Sequence, residues 1–413
     1  MQDIRTRLTD YFLGGIAAAS PSQVLPDKLP KTPPNGRTLI LGCGKAAAEM
    51  AAVARGHLTG PVSGCVVTRE GHNVPSPIPD IDVIEARHPV PDGMSLKAGQ
   101  RLMALAQNAG PEDRVLFLIS GGGSALLAAP AAGVDFAEKQ AIGDALVRSG
   151  RPIEEINLVR RHLSAIKGGR LAAMAAAHGA ELITYVISDV ASEDPALVAS
   201  GPSIAAPFAP DQALDILEKS GWSVSPDLAA AIHANAPPRL APHPVHILAR
   251  NEDALNAVCT RAAADGWTII DLGKALTGNA ADIGRHHAEI AADYAKRAGR
   301  FLLVSGGELT VTGARKGGRG GPNLEYLAGL MTRLDGSASI QALAGDSDGI
   351  DGTEDNAGGY FDVAWGNPDG ARAALAENRT YDFFAALNGL VMTGPTRTNV
   401  NDIRMIAVEG QRA

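Results

Sequence analysis

The alternation of short apolar runs, glycine turns and helical segments constrains the fold of this chain most strongly. RTLILGCGKAAAEMAAVA has the pattern of a buried strand, a glycine turn and an alanine-rich helix, and the same order returns in RVLFLISGGGS. GCVVT, IDVIEA and ELITYVISD are further short apolar runs. Continuous apolar strands that alternate with helices are typical of a parallel sheet covered by helices on both faces. The pattern therefore predicts an α/β fold.

A change of composition divides the chain. Prolines cluster in residues 206–245, and a second set of short apolar strands with intervening helices follows: VHILA, TIIDL, FLLVSGGE, SIQALAGDSDG and MIAVE. With 413 residues, the chain is long enough for two domains that each bury a core. We predict a large Rossmann-like N-terminal domain over residues 1–238 and a smaller α/β C-terminal domain over residues 239–413. The first twenty residues predict an amphipathic helix, and SLKAGQRLMALAQNA predicts a helix with Ser95 as its N-cap.

Charge and cysteine content exclude several classes of protein. The net charge of −8 argues against the concentrated basic face that binds nucleic acid or an anionic membrane. Cys43, Cys65 and Cys259 are scattered and form neither a disulfide framework nor a metal-ligand spacing. The N-terminus lacks the basic and apolar segments of a signal peptide, and no stretch approaches the roughly 18 apolar residues of a membrane span. The sequence therefore predicts a cytoplasmic protein that acts on a small molecule.

Three glycine turns follow apolar strands. Glycine permits positive φ and lets a ligand approach the backbone, and a following helix offers unpaired amides, so such turns suit phosphates and carboxylates. If all three open on the C-terminal edge of one parallel sheet, they form a binding site there. The alternative is that these glycines only allow tight turns. We predict that the turns contribute the following substrate- or nucleotide-binding residues: Gly42, Gly44, Ser120, Gly121, Gly122, Gly123, Ser124, Gly306, Gly307 and Glu308.

The first of these turns has two interpretations. Residues 42–47, GCGKAA, satisfy the loose G-x-G-x-x-A pattern of a dinucleotide fingerprint. The acidic residue expected after the next strand is missing, because Thr68 ends that strand and Arg69 follows it, although an arginine leaves NADP open. A lysine inside the turn, Lys45, is what phosphate chemistry uses as a point charge. The chain has no G-x-x-x-x-G-K-[ST] motif and is not a P-loop NTPase.

An acidic loop and a cationic loop occupy the C-terminal half. GDSDGIDGTEDNAGG places Asp346, Asp348 and Asp351 after an apolar strand. Neighbouring carboxylates repel each other unless a cation neutralises them, and Mg²⁺ is bound by one or two carboxylates plus substrate phosphates. The alternative is a solvated acidic turn; an EF-hand is excluded because its twelfth-position glutamate is missing. We predict Asp346 and Asp348 as Mg²⁺ ligands.

The cationic loop, GARKGGRGGPN, carries Arg315, Lys316 and Arg319 among five glycines. Such a loop can fold over phosphates and supply charge to a phosphoryl group in transfer, whereas the alternative is a flexible surface hairpin. A further basic cluster is Arg160-Arg161-His162, followed by Lys167-Gly168-Gly169-Arg170. Helical spacing lets part of this cluster hold a carboxylate, although a charge run of this kind is more often a solvated helix face. His88, beside Pro89, has both a functional and a structural interpretation.

Eight motifs in order resemble those of the type 2 glycerate kinases over nearly the whole chain. They are LGCGKAAAEMA, RHPVPDGMS, LFLISGGGSALL, NLVRRHLSAIKGGRLA, VISDVASEDPALVASGPS, LLVSGGELTVTGARKGGRGGPN, AGDSDGIDGTEDNAGG and VMTGPTRTNVNDI. The resemblance implies a Rossmann-like domain followed by a smaller domain called MOFRL. It also implies that ATP and Mg²⁺ phosphorylate D-glycerate to 2-phosphoglycerate in a cleft between these domains.

The resemblance also implies roles for individual residues. Lys45 and Arg319 match residues thought to be essential in the family, and the 120–124 turn, Ser188-Asp189 and Asp346/Asp348 match positions that line the cleft. We predict that Asp189 orients or deprotonates the attacking hydroxyl, with a share in metal binding. Lys167 and Asn323 are predicted binding residues. A homodimer is compatible with the sequence.

One departure from the family pattern leaves the function open. The cationic loop has GGRGGPNLEY in place of GGRNQE, as in a subgroup associated with tartrate degradation and often labelled hydroxypyruvate reductase. An NAD(P)H-dependent hydroxypyruvate reductase is therefore one alternative. A non-catalytic protein that binds a sugar acid is another.

Overall fold

The structure is a computed structural model that describes residues 3–190, 194–313, 317–334, 336 and 339–411. Within these residues the chain forms two compact units. The first is Val24–Leu248, and the second combines Met1–Gln23 with Ala249–Ala413. Arg315 and Lys316 of the cationic loop lie outside the described residues.

The strands are β1 (Thr38–Cys43), β2 (Val62–Arg69), β3 (Ile81–Ala86), β4 (Arg114–Ser120), β5 (Glu181–Ile187), β6 (Val245–Ala249), β7 (Thr268–Asp271), β8 (Arg300–Gly307), β9 (Ser339–Asp346), β10 (Gly358–Asp362), β11 (Leu390–Val391) and β12 (Asp402–Glu409). The helices are α1 (Ile4–Ala18), α2 (Pro21–Val24), α3 (Ala47–His57), α4 (Gly93–Gln107), α5 (Gly123–Leu126), α6 (Phe136–Arg148), α7 (Ile153–His162), α8 (Arg170–Ala176), α9 (Pro210–Lys219), α10 (Pro226–Ala234), α11 (Asn251–Ala264), α12 (Ala280–Ala295), α13 (Pro322–Met331), α14 (Pro368–Glu377) and α15 (Thr380–Ala386).

A Rossmann-like sheet forms the centre of the unit Val24–Leu248. Its strand order is β3-β2-β1-β4-β5-β6, and the pairs β1–β2, β1–β4, β2–β3 and β4–β5 are parallel. Every residue of β1 and β4 is buried, as expected for strands covered on both faces. The α/β prediction is confirmed. The order of the strands reverses between β1 and β4, so this sheet has a topological switch point there.

A separate layer of helices interrupts the chain after β4 and again after β5. Helices α6, α7, α9 and α10 share an apolar cluster that includes Ile142, Leu146, Val159 and Leu217. We call these four helices the helical layer. Helices α6 and α7 follow β4 and the short helix α5 in the chain, so the layer is connected to the carboxyl end of that strand.

The second unit has a mixed sheet with the order β11-β10-β9-β12-β8-β7. Its pairs are antiparallel except β7–β8, which is parallel. Helices α12 and α13 approach closely at two glycines. A Cβ at Gly284 would lie 2.1 Å from the Tyr326 carbonyl oxygen, and one at Gly329 would lie 2.3 Å from the Ala281 carbonyl oxygen. The expected smaller α/β C-terminal part is confirmed, but its sheet is not of the parallel type that alternating strands and helices favour.

Two elements belong to a different unit or sheet from the one that the predicted boundaries 1–238 and 239–413 give them. Helix α1 belongs to the second unit, where Phe12 lies under Gly345 of β9 and Tyr11 donates to Asp265 at 2.7 Å. Strand β6, predicted as part of the second set of strands, pairs with β5 in the first sheet. Both differences depend on which distant apolar surface each segment covers, which a local pattern does not encode.

The N-terminus of α4 differs from its prediction. Asp92, and not Ser95, is the N-cap, and its carboxylate accepts a hydrogen bond from the Ser95 amide at 2.9 Å. The Ser95 hydroxyl accepts from the Asp92 amide at 3.1 Å, which completes a capping box. The prediction named the third residue of the helix in place of the residue before it. No helix among the described residues has both the length and the apolar character that crossing a membrane requires.

A buried histidine in the second unit makes stability depend on pH. His287 of α12 is 3% exposed and its Nδ1 lies 2.9 Å from the Tyr326 hydroxyl. Burial, with smaller contributions from Arg404 and His286, lowers the pKa of His287 from 6.5 to about 4. Between pH 6.5 and pH 4, His287 is therefore protonated in the unfolded state and neutral in the folded state. The contribution of His287 to the free energy of unfolding is constant above pH 6.5 and decreases as the pH falls towards 4.

We expect His287→Gln to reduce this loss. Between pH 7 and pH 5 the His287 term removes about 2 kcal/mol from the free energy of unfolding of the unmodified protein. Urea unfolding at both pH values measures the difference. His286→Gln, at the exposed neighbouring position, is the matched control and should keep most of the pH dependence, because His286 is the smallest of the three causes that lower the His287 pKa. An equal pH dependence in the His287→Gln variant would contradict the assignment.

Candidate active site

The first two glycine turns lie side by side at the switch point of the parallel sheet. The Lys45 amide donates to the Gly121 carbonyl at 2.9 Å, and the Ala46 amide donates to the Ser120 hydroxyl at 3.0 Å. A Cβ at Gly44, whose φ is +125°, would lie 2.2 Å from the Ser120 Oγ. Open α/β sheets bind ligands in the crevice at such a point. The structure therefore brings two of the three predicted turns together.

The amides of the first turn are used inside the protein. Besides the two bonds above, the Gly44 amide donates to Val67 and the Ala47 amide to Gly44, each at 3.1 Å. Gly42 lies within β1, where a Cβ would lie 2.7 Å from the Leu118 carbonyl oxygen. These contacts give Gly42 and Gly44 a packing role. Lys45 is the residue of this turn that carries a charged side chain.

The second turn lies against Lys45 and His88. A Cβ at Gly122, whose φ is +78°, would lie 3.3 Å from Cγ of Lys45 and 3.2 Å from Cδ2 of His88. A Cβ at Gly123 would lie 2.8 Å from Sγ of Cys43, so this glycine is required by the close approach of β1. The amides of residues 122–124 precede the first complete turn of α5, and no acceptor contacts them within the described ranges. They are suited to an anion beside Lys45.

Loops on the far side of Ser124 are held by a polar network. The Ser124 and Ser200 hydroxyls lie 2.8 Å apart, and the Ser200 hydroxyl donates to Oδ1 of Asn157 at 2.8 Å. Lys167 is 2% exposed, and its ammonium donates to the carbonyls of Ser124, Leu127 and Ala199. Ala199 and Ser200 both have positive φ, at 54° and 59°. Strained backbone of this kind concentrates at functional sites. Lys167 therefore fixes the loops that frame the turn.

The remaining predicted residues of this unit follow β5. Ser188 is buried, and its hydroxyl accepts from the Val190 amide at 3.4 Å. Asp189 is partly exposed and comes directly after it. Because β5 pairs in parallel with β4, the carboxyl ends of both strands meet at the same edge of the sheet. Asp189 thus lies at the edge that carries the two glycine turns.

The basic cluster separates into different roles. Arg161 donates to the Asn157 carbonyl, and Arg170 donates to the carbonyls of Lys167 and Asn235. Nδ1 of His162 lies 2.8 Å from the Leu158 carbonyl oxygen, and its Nε2 accepts from the Ala209 amide at 3.1 Å. The cluster does not form one continuous helix face, because α7 ends at His162 and Gly168 and Gly169 turn the chain with positive φ.

The third glycine turn belongs to the other sheet. Residues 305–307 end β8, and no helix follows directly, because α13 begins at Pro322. A Cβ at Gly306 would lie 1.8 Å from Oδ1 of Asn251, and one at Gly307 would lie 2.3 Å from the Leu276 nitrogen. The prediction of three turns on one sheet edge was wrong. Gly306 and Gly307 allow close packing, and Glu308 is exposed just beyond them.

The acidic loop after β9 is tightly built. Oδ1 of Asp346 accepts from the Asp348 amide at 2.9 Å, and Oδ1 of Asp348 accepts from the Ile350 amide at 2.8 Å. Asp348 is fully buried, whereas Asp346 is partly exposed. The described residues contain no group of three or more His, Cys, Asp or Glu side chains arranged to hold a metal ion. A metal here would therefore depend on substrate oxygens for the rest of its ligands.

A buried network of polar side chains packs against this loop and holds it in place. Asp351 accepts from the backbone amides of Asn323 and Leu324, at 2.9 and 3.0 Å, and so caps α13. Nδ2 of Asn323 donates to Asp351 and to Asp402. Asp402 forms a 2.7 Å ion pair with Arg404, which is fully buried and also donates to the carbonyls of residues 306 and 307. Asn323, a predicted binding residue, thus connects the two carboxylates.

Arg319 is held by two carboxylates. Its guanidinium forms a bidentate pair with Glu354, at 3.3 and 2.7 Å, and a 2.9 Å bond with Asp382. It also lies 4.1 Å over the ring of Tyr381. The hydrogen bond to Glu354 is the largest cause of a raised Arg319 pKa. The predicted catalytic role therefore requires Arg319 to exchange at least one carboxylate for a phosphate.

Sequence analysis missed several supporting residues. Ser200 and Asn157 were not singled out, although the SGPS motif that contains Ser200 was visible. Arg404 was missed because its segment shows only an apolar strand, RMIAV, with one charge. A charged residue inside an apolar strand is the signal that could have found it, since such a charge must be paired when buried.

Comparisons with known proteins agree with this geometry. Residues 7–235 match a domain of unknown function, DUF4147, and residues 301–402 match the MOFRL family. A protein from Agrobacterium vitis named putative hydroxypyruvate reductase is 42% identical, over 98% of this chain and 94% of that protein. D-glycerate 2-kinase from Thermotoga maritima is 34% identical over 94% of both chains.

A solved structure carries the same fold. The crystal structure of a glycerate kinase from Thermotoga maritima matches with a TM-score of 0.84 at 31% identity, over 98% of this chain and 99% of the other. At this coverage the match includes the segments that form both sheets of this chain. This chain therefore belongs to the glycerate kinase family whose members combine a DUF4147 domain with a MOFRL domain.

Proposed function

We propose that this protein transfers the γ-phosphoryl group of ATP to D-glycerate and forms 2-phosphoglycerate. The observation that carries the proposal is the position of Lys45 against the 122–124 turn at the switch point of the parallel sheet. A lysine ammonium group close to the backbone amides of residues 122–124 is suited to bind phosphate oxygens. Relatives named glycerate kinase support the acceptor, because they span most of the chain at 34% identity.

The residues present fit a nucleotide and Mg²⁺. The amides of residues 122–124 have no acceptor among the described residues, which suits phosphate. Asp346 and Asp348 supply carboxylate oxygens, and the amide oxygen of Asn323 is buried without a hydrogen-bond partner in the described part of the chain. Oxygen donors of this kind are what Mg²⁺ prefers. When bound, the ion supplies positive charge to the phosphate oxygens. Asp346 and Asp348 would hold it, with Asp189 as a further candidate.

Each predicted residue then has a separate task. Lys45 places a fixed positive charge beside the group in transfer, and Arg319 adds a second after leaving Glu354 or Asp382. Asp189 orients the attacking hydroxyl and accepts its proton. We propose that these groups of both units act on the same substrates, as the family resemblance implies. We also propose that the reaction takes place in the cytoplasm, where thiols such as those of the buried Cys43 and Cys65 stay reduced.

The reductase alternative is supported by the names of relatives such as the Agrobacterium vitis protein, but the geometry of the first glycine turn gives it little support. A dinucleotide fingerprint uses the amides at the start of the helix after β1 to bind a pyrophosphate. Here the amides of residues 44–47 already donate to protein acceptors. Near the end of β2, Thr68 is buried and donates to the Lys45 carbonyl at 3.3 Å, so this position carries a hydroxyl in place of the acidic side chain that binds a ribose.

An assay of both activities on one preparation tests the proposal. The purified protein is incubated with ATP, Mg²⁺ and D-glycerate, and ADP release is followed. A parallel sample receives NADPH and hydroxypyruvate. We expect glycerate-dependent ADP release and no NADPH oxidation. Steady NADPH oxidation without ADP release would overturn the proposal in favour of a reductase. Tight glycerate binding without either reaction would favour the non-catalytic alternative.

A further inference from the structure

A cavity of about 330 Å³ lies between the helical layer and the glycine turn of β4. Its apolar wall comes mainly from α6, with Phe136, Ile142 and Leu146, and from Pro89 and Pro91. Ser124, the last residue of the 122–124 turn, lines the same cavity. The volume is within the range of small-molecule sites, which runs from roughly 300 to 1,000 Å³. The cavity therefore opens directly from the turn that Lys45 contacts.

Four basic side chains line this cavity: Lys139, Arg148, Arg160 and Lys167. Lys139 donates to the carbonyls of Ala129 and Leu163, and Lys167 donates to three carbonyls near Ser124. Burial lowers the pKa of both lysines, that of Lys167 to about 7. Neither lysine pairs with a carboxylate in the part of the chain that the structure describes. Basic groups without carboxylate partners favour an anionic occupant of this cavity, and a bound anion would in turn raise the lowered pKa values of the two lysines.

Arg160 is placed differently from the two lysines. It lines the cavity from α7, and neither a hydrogen bond nor an ion pair engages its guanidinium within the described residues. Burial lowers its pKa, and none of the carboxylates that the structure describes opposes this effect. Asp144 also lines the cavity, but its side chain belongs to an exposed position of α6. A partly buried arginine without a partner is suited to bind phosphate oxygens from the ligand.

The shape and chemistry of the cavity exclude glycerate as its main occupant. Glycerate is a small polar anion and gains nothing from an apolar wall of aromatic and aliphatic side chains. A nucleotide has a flat base that buries well against such a wall, and phosphates that extend from it towards basic groups. Ser124 connects the apolar wall with the turn beside Lys45, which is the direction that the phosphate chain must follow.

We propose that this cavity binds the adenine and ribose of the phosphoryl donor, with Arg160 on the phosphate nearest the ribose. The proposal rests on the proposed kinase function and adds to it the location of the donor. In this arrangement the donor binds beside α6 and its terminal phosphate reaches Lys45. The acceptor binds outside this cavity.

Gly143 offers a test with little steric risk. It lines the cavity in the middle of α6, and a Cβ there would meet no atom within 4 Å. Gly143→Trp fills the cavity and replaces a residue that helices disfavour. Gly56→Trp is the matched control, because Gly56 also lies in a helix with open space around its Cβ and is not among the cavity residues. Thermal unfolding of both variants verifies that they fold.

The measurements are the Kd of ADP with Mg²⁺ by isothermal titration calorimetry and the KM values for ATP and D-glycerate. We expect Gly143→Trp to weaken ADP binding and raise the KM for ATP by at least about tenfold, with the KM for D-glycerate within about twofold. Arg160→Met should weaken ADP binding by about tenfold, as expected for a lost charged hydrogen bond, and Gly56→Trp should change neither constant.

Two other outcomes would overturn the inference. Unchanged ADP affinity in a folded Gly143→Trp variant would show that the donor binds elsewhere. A raised KM for D-glycerate with an unchanged KM for ATP would assign the cavity to the acceptor. The calorimetry separates this inference from the kinase proposal. A parent protein that binds ADP, loses it on Gly143→Trp and does not phosphorylate glycerate would support the cavity assignment while contradicting the proposed acceptor.

Discussion

Replacing Lys45 with methionine is expected to lower turnover by about 100- to 1,000-fold, the usual cost of removing one preorganised charged group from a reaction site. Cγ of Lys45 lies beside the 122–124 turn, and the backbone of the residue is fixed by the Gly121 carbonyl. Methionine keeps the apolar stem and removes only the charge. We therefore expect the melting temperature to change little while kcat falls.

The measurement is kcat for glycerate-dependent ADP formation, with thermal unfolding alongside. Lys97→Met, at an exposed position of α4, is the matched control and should keep the activity of the parent protein. Lys45→Arg should recover only part of the loss, because a guanidinium carries the charge in a different geometry. Near-normal turnover in a folded Lys45→Met variant would remove Lys45 from the reaction.

Arg404→Met is expected to destabilise the second unit by about 3–5 kcal/mol, the usual cost of leaving one partner of a buried ion pair without the other. Arg404 is fully buried, and its guanidinium is within hydrogen-bond distance of Asp402 and of the carbonyls of residues 306 and 307. Without it, the Asp402 carboxylate keeps hydrogen bonds from Asn323 and from the Leu309 amide but loses its positive partner. The acidic loop after β9 loses its support as well.

Urea unfolding measures the free energy change for this variant. The double variant Arg404→Met/Asp402→Asn should recover part of the stability, because the uncompensated carboxylate is gone. Lys296→Met breaks an exposed pair with Asp293 and is the surface control, for which we expect an unchanged unfolding midpoint. An Arg404→Met variant as stable as the parent would show that the buried pair contributes nothing.

The sequence predicted the centre of the parallel sheet because the pattern there is local. The apolar runs around GCGK and SGGGS each contain their own strand and turn, and strands of that kind pair in parallel. The third turn has the same local letters, VSGGE, but it lies in a mixed sheet because β8 pairs with β12, almost one hundred residues later in the chain. No short pattern distinguishes the two situations.

In the candidate site, too, the residues within one short motif could be predicted, whereas partners from distant parts of the chain could not. Lys45 and the 120–124 turn could be identified from spacing alone. The partners of Arg319, namely Glu354 and Asp382, could not, because they come from loops distant in sequence. Asp351 resembles Asp346 and Asp348 in the printed sequence, yet it caps α13 through Asn323 and Leu324. Arg160 belongs to a charge run that is indistinguishable from a solvated face until the cavity beside it is seen.

The most direct test of the account is the identity of the product. ³¹P nuclear magnetic resonance of a reaction with ATP, Mg²⁺ and D-glycerate shows whether a phosphate ester forms and on which hydroxyl. We expect ADP and 2-phosphoglycerate in equal amounts. Inorganic phosphate as the main product, 3-phosphoglycerate, or no conversion of ATP under conditions where NADPH is oxidised by hydroxypyruvate would contradict it.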